Sequence, residues 1–355
     1  MKRVLTKDLI PGMITAENVY TISGQLILPE NLKLTDKMII RLEFYAIEEI
    51  TVVDDTEQVA TKPVSLYREK IDNSLEFKKF REIFFENVEY FQNSINTVIN
   101  RITPIDTYSL LTNTLNIFSS NLTSIGVFDM LHNMREYDDV TYHHSMSVGI
   151  ICNIMGKWLG FSKEDTEVLT LAGLLHDTGK IMMPDNILKK PSRLSVTEYE
   201  IIKTHPFQGY NLLKGEDLDE RIKNAALMHH ERCDGSGYPS RLVSNEIDDF
   251  AKIVAIADVY DAMTSARIYR GPLCPFDVIH IFESEGLRKF EPRFLLPFLE
   301  RIVNTYMNND ILLNNGETGT IIMINRLYLS KPVIKTATGF IDLSAEPDLY
   351  IMKIL

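Results

Sequence analysis

The run Val168-Leu169-Thr170-Leu171-Ala172-Gly173-Leu174-Leu175-His176-Asp177-Thr178-Gly179-Lys180-Ile181 decides how this chain folds. Its first eight residues are apolar on nearly every side of a helix, which predicts a central, buried one that ends before Gly179. That helix delivers His176 and Asp177 into the interior. Two further segments do the same: Ile222, Ala225, Ala226 and Met228 lead into His229-His230, and Ile253-Val254-Ala255-Ile256-Ala257 leads into Asp258. Of the eight histidines in the chain, six (His143, His144, His176, His205, His229 and His230) fall in this region.

Burying so many polar groups without a shared cation costs several kcal/mol. Imidazole and carboxylate clusters bind divalent transition metals, and a bridging carboxylate lets two ions share one activated water. The candidate ligands are His144, His176, Asp177, His205, His229, His230 and Asp258. Asp177 is the best candidate bridge, because it stands beside a second ligand and between the others in sequence. Adjacent helical positions point about 100° apart, so His143 and His144 seldom bind one ion together. His132 and His280 are read as surface or satisfied core residues, and Cys233 as a non-ligand.

Composition narrows the partners. The chain has 355 residues, a formal charge of −12 and 45% hydrophobic residues, with a pI near 5.2. An acidic chain is a poor binder of duplex nucleic acid, where a basic surface supplies most of the affinity. The three cysteines, Cys152, Cys233 and Cys274, are far apart and lack a Cys-x-x-Cys pair, so no disulfide framework is expected. With no long apolar run and no signal-peptide core, the reading is a cytoplasmic protein without direct membrane insertion.

The fold class is predicted as mainly α. Residues 1–65 read as a small α+β module, with turns at Pro11-Gly12 and Ser23-Gly24, strands at Leu26-Ile27-Leu28 and Ile50-Thr51-Val52-Val53, and Thr35 capping a short helix to about Tyr45. Residues 66–118 read as a helical linker, with Phe77, Phe80, Phe84, Phe85, Tyr90 and Phe91 near three- and four-residue spacing. Residues 119–310 are helical almost throughout and carry the ligands. Residues 311–355, with turns at Asn315-Gly316 and Thr338-Gly339, read as a β-rich extension.

The run Leu174 to Ile181 resembles the defining motif of the HD hydrolase superfamily. His229-His230-Glu231 with Asp234-Gly235-Ser236-Gly237-Tyr238-Pro239 resembles its HD-GYP branch, and Met183 to Leu188, Ile202 to Pro206 and Ile256 to Arg270 agree. The likeness covers about residues 120–305. It implies an all-helical catalytic domain that hydrolyses cyclic di-GMP with a cluster of iron or manganese ions. Carried over by residue, it assigns His144, His176, Asp177 and Asp258 to one ion, and His205, His229 and His230 to another, with Asp177 shared. His144 is taken over His143 because it holds the family's spacing to Ser145.

Members with three metals place a Glu four residues before the first histidine ligand. Here Val140 holds that position, with Asp139 one residue earlier, so two divalent ions are expected and the linear dinucleotide pGpG is the expected product. The resemblance also assigns Asp177 and Lys180 to catalysis, and Lys180, Tyr238, Arg267 and Arg270 to the substrate: Lys180 near phosphate, the two arginines as forked cations three residues apart, and Tyr238 on a base or ribose. Arg193 and Ser240 depart from usual glycine positions. A mixed cyclic dinucleotide is the alternative substrate, and a nucleotide-sensing interaction module the alternative class. The N-terminal module suggests regulation or a homodimer.

Overall fold

The computed structural model describes residues 2–6, 9–20, 26–35, 38–39, 42, 47, 49–53, 74–100, 103–120, 124–134, 140–188, 195–264 and 274–355. It divides into two compact units, one of residues 1–64 with 191–193 and 265–273, the other of residues 65–190, 194–264 and 274–355.

In the first unit β1 (Lys2–Leu5) and β4 (Glu49–Val52) pair antiparallel, and so do β2 (Val19–Tyr20) and β3 (Leu26–Leu28). Their inward residues Val4, Val19, Ile27, Leu28, Ile50 and Val52 share a core with Leu34, Ile39 and Leu42. The predicted strands are present. Thr35 does cap the start of a turn, accepting from Met38 N, while Tyr45 lies outside the described residues.

The second unit opens with α1 (Leu75–Ile99), whose first turn is capped by Ser74 Oγ accepting from Phe77 N at 3.1 Å. Phe77, Phe80, Phe84, Val88, Phe91, Ile95 and Val98 recur every three or four residues and are all buried, so one continuous stripe faces inward. Next come α2 (Thr107–Asn116), α3 (Ser124–Asn133), α4 (Val140–Trp158) and α5 (Lys163–Leu175). A Cβ on Gly173 would lie 2.9 Å from Gly149 Cα and Cys152 Sγ, so α4 and α5 run nearly backbone to backbone. That close approach brings the start of α4, with His144, alongside the end of α5, with His176.

After a tight turn at Thr178–Met182 follow α6 (Val196–Ile202), α7 (His205–Leu213), α8 (Glu220–Met228) and α9 (Asp249–Thr264). Helix α9 is the centre of the unit: Phe250 to Asp258 are all buried. Each large aliphatic side chain sealed this way contributes about 1.5–3 kcal/mol, which is how a helix can afford to carry Asp258 and Asp261 inside. α10 (Pro275–Ile281), a widened turn at Phe282–Gly286 and α11 (Pro292–Thr305) complete the helical part.

The predicted β-rich extension is a five-stranded antiparallel sheet, ordered β8 (Phe340–Asp342), β7 (Val333–Thr336), β6 (Thr318–Met323), β5 (Asp310–Leu313), β9 (Ile351–Ile354). Glu283 ties it to the helices, accepting from Leu329 N and, at 3.1 Å, from Ser330 N. No helix among the described residues is long and apolar enough to cross a membrane.

Candidate metal centre

Four elements converge on one buried point. α5 ends at His176 and Asp177, α7 begins at His205, α8 ends at His229 and His230, and α9 presents Asp258 from its middle. His176, His205 and His229 are fully buried, Asp177 is 1% exposed and Asp258 6% exposed.

Three of the histidines are oriented in the same way. His176 Nδ1–H donates to Gly173 O at 2.7 Å, His205 Nδ1–H to Ile202 O at 2.7 Å, and His229 Nδ1–H to Ala225 O and Ala226 O, both at 3.1 Å. In the tautomer these bonds require, each Nε2 offers a lone pair. The Nε2 atoms of His205 and His229 face each other at 3.2 Å. Asp177 Oδ1 lies 3.2 Å from the first and 3.6 Å from the second.

Three acceptors thus converge with no proton between them, which a cation resolves. Asp177 Oδ1 and His176 Nε2 are, moreover, buried without a hydrogen-bond partner. Leaving two such atoms unmet costs roughly 1–3 kcal/mol each. The nitrogen and oxygen donors suit iron, manganese or zinc.

Two sets of ligand atoms, each mutually within 4.8 Å, could hold an ion: Asp177, His205, His229 and His230, and separately His144, His176 and Asp177. Asp177 belongs to both, the position expected of a bridge. Asp258 borders the second set, 3.0 Å from His144 Nε2 and 4.0 Å from His176 Nε2. His230 Nδ1 is 3.9 Å from Asp258 Oδ2. All seven predicted ligands are therefore brought together.

Electrostatics keeps the donors available. Burial pushes the His176 imidazole down to about 3 and lowers His205. Burial, then the neighbouring His229 and His205, holds His230 well below its usual value. Burial opposes ionisation of Asp177, but Lys180, His176, His205 and His229 outweigh it and hold the carboxyl well below the usual range. Lys180 Nζ sits 2.5 Å from Asp177 Oδ2, where the sequence reading placed it near phosphate.

His144 differs from the other three. Its Nδ1 contacts Asp261 Oδ2 at 2.8 Å and its Nε2 contacts Asp258 Oδ1 at 3.0 Å. Against the opposing effect of burial, these two carboxylates push its pKa up to about 10. Ligation through Nε2 requires that proton to leave. His143, one residue away, instead stacks on Phe84 with ring centroids 5.9 Å apart. Asp261 was not singled out from the sequence, although its place three residues after Asp258 puts both on one helix face. A carboxylate behind a ligating imidazole fixes its orientation. Asp261→Asn is therefore expected to weaken metal binding about 10- to 100-fold with little loss of fold, as read by metal titration against thermal stability.

Tyr238 stacks on His230, centroids 4.6 Å apart at 27°, and burial raises its phenol well above 10, so it remains a donor. Its peptide bond to Pro239 is cis. Cys233, half-buried, is in neither ligand set, and His280 is exposed. Arg267, Arg270, Arg193 and Asp139 lie outside the described residues. Val140 opens α4.

A family model described as "HD domain" matches residues 107–294, a span that includes all seven candidate ligands. The cyclic di-GMP phosphodiesterase response regulator RpfG of Xanthomonas campestris is 40% identical over 146 residues, 40% of this chain and 38% of that protein. A cyclic di-GMP phosphodiesterase of Thermotoga maritima is 36% identical over 177 residues, 49% of this chain and 48% of that protein. The 3'3'-cGAMP-specific phosphodiesterase 1 of Vibrio cholerae is 40% identical over 145 residues, 41% of this chain and 34% of that protein. The chain spans about half, or less, of the length of these curated relatives.

Proposed function

The chain belongs to the HD-domain family, and from that premise we propose that it is a metal-dependent phosphodiesterase acting on cyclic di-GMP. The observation that carries this reading is the meeting of His205 Nε2, His229 Nε2 and Asp177 Oδ1 with no proton to share. The names of the relatives support the substrate.

In this reading His144, His176, Asp177 and Asp258 hold one ion and His205, His229, His230 and Asp177 the other, both iron or manganese. When bound, the ions supply the Lewis acidity that lowers the pKa of a water and offsets charge on the phosphoryl oxygens. The protein does the rest. Asp177, with a negative charge enforced by its neighbours, fixes the shared position. Lys180 brings its amine nitrogen beside it, suited to a phosphoryl oxygen or to the leaving ribose oxygen. Tyr238 offers a ring face and a phenol proton at the rim. Arg267 and Arg270 keep the phosphate role that the sequence assigns them, and the product is pGpG.

Anaerobic reconstitution with Fe(II) or Mn(II), followed by chromatography of the products from cyclic di-GMP, tests the proposal. Intact substrate under both metals would sink it. Faster turnover of 3',3'-cGAMP in a competition assay would favour the alternative substrate that the Vibrio relative's name suggests.

Chelation is expected to destabilise the protein independently of any substrate. At a metal concentration 100 times Kd, binding contributes about 2.7 kcal/mol. Its removal is expected to lower Tm by about 5–10 °C. A melting curve indifferent to chelator would contradict a resident metal.

A further inference from the structure

Glu231 follows the last histidine pair directly, is 3% exposed, and among the described residues has backbone amides as its hydrogen-bond partners. Its two carboxylate oxygens are spent on backbone: Oε1 accepts from Ser240 N at 2.6 Å and Oε2 from Leu242 N at 3.0 Å. The chain between, residues 232–239, is thereby closed into a loop by this side chain, alongside Ser244 N donating to Cys233 O at 3.2 Å and an antiparallel bridge between Asp234 and Val243. Within it Tyr238 N donates to His230 O at 3.2 Å, and the Tyr238 ring lies on the His230 imidazole.

Two further contacts show that the loop is built closed. A Cβ on Gly237 would stand 2.5 Å from His230 O, Glu231 Cα and Arg232 N, so the loop crosses hard over its own beginning. Arg232 Nη1 donates to His229 O at 3.0 Å and to Glu231 O at 2.8 Å, and its guanidinium covers the Phe290 ring. The base of the loop is fixed from behind, while the returning segment from Ser240 to Leu242 is held from the front by Glu231.

We propose that Glu231 is a positioning residue: by clamping the Ser240 and Leu242 amides it holds Tyr238 against His230, and so sets the aromatic face offered to a nucleobase. Glutamine has nearly the same shape, but it brings an NH2 group to one of two N–H donors. One bond is then lost and a donor is set against a donor.

In its substrate readout this inference rests on the proposed function, so the experiment has two arms. In the full chain with Mn(II) and cyclic di-GMP, Glu231→Gln is expected to raise KM about tenfold while kcat stays within about threefold. Tyr238→Leu raises KM similarly, and the double variant is no worse than the poorer single one, since both remove the same contact. Additive losses, or a fall in Tm with KM unchanged, would overturn the proposal.

The second arm needs no turnover. Amide exchange at Ser240 and Leu242 should quicken in Glu231→Gln, with metal content retained and α9 unchanged; unaltered protection refutes the clamp. Wild-type protein that leaves cyclic di-GMP intact would refute the assigned substrate while this arm still judges Glu231. Should Glu231→Gln not fold, Ser240→Pro removes one donor from the other side, with the same KM outcomes expected and the same result overturning the clamp.

Discussion

Asp177→Asn is expected to abolish turnover, with a loss of at least a thousandfold in kcat/KM, about 4 kcal/mol of transition-state stabilisation, and to strip most of the bound metal. Asparagine fills the same space but presents a neutral oxygen and an NH2 group. It cannot serve both ligand sets, and its N–H hydrogens point at lone pairs that an ion should meet. The fold should tolerate the change far better than the chemistry does.

The sign of the pH effect is consistent with that. The folded-state pKa of Asp177 lies well below 3.8, so its stabilising contribution is present at neutral pH. That contribution is lost only as pH falls below the ordinary carboxylate range. Metal analysis alongside turnover is the check, and a variant that keeps full metal content and activity within tenfold would remove Asp177 from its central role.

Gly179→Ala is expected to be the most destabilising single methyl in the site. The added Cβ would lie 1.9 Å from His205 O and 2.5 Å from Gly209 N, both backbone atoms that cannot swing aside. Relief requires the start of α7 to move by more than an ångström. Overpacking of this kind costs about 3 kcal/mol or more, a fall in Tm of roughly 6–12 °C. Because α7 begins with His205, metal affinity should fall together with stability. A Gly179→Ala protein with unchanged Tm would show that the turn and α7 are packed less tightly than these distances state.

Much of this was legible in the sequence because it is local. Apolar patterning marks α1, α5 and α9, and His176, Asp177, His229, His230 and Asp258 sit where an apolar run ends or passes through the core, whereas His144 and His205 lie near the starts of α4 and α7. The choice of His144 over His143 rests on the family resemblance, since helical geometry says only that the two seldom serve one ion, and His143 is found against Phe84 on α1.

What sequence could not show is long-range. The contact from His144 to Asp261 joins residues 117 positions apart, and nothing near Glu231 announces that its carboxylate will bind two backbone amides nine and eleven residues later. The sequence assigns Tyr238 to the substrate; the structure adds that its ring lies on the His230 imidazole. Lys180 was read toward phosphate, and it is found paired with Asp177.

The histidine orientations described above carry one more consequence. Gly173 O and Ala226 O belong to the last turns of α5 and α8, among the carbonyls whose intrahelical partners run out at a helix end, while Ala225 O also accepts from His229 N at 3.1 Å. His176 and His229 therefore finish their helices with one ring nitrogen and offer the other to an ion. Replacing either histidine unravels a helix end as well as a coordination site, so neither makes a clean test of metal dependence. It also means that metal uptake and the integrity of two helix termini are one equilibrium. Local fraying at the ends of α5 and α8, followed by amide exchange, should report on the metal before any loss of overall fold is seen.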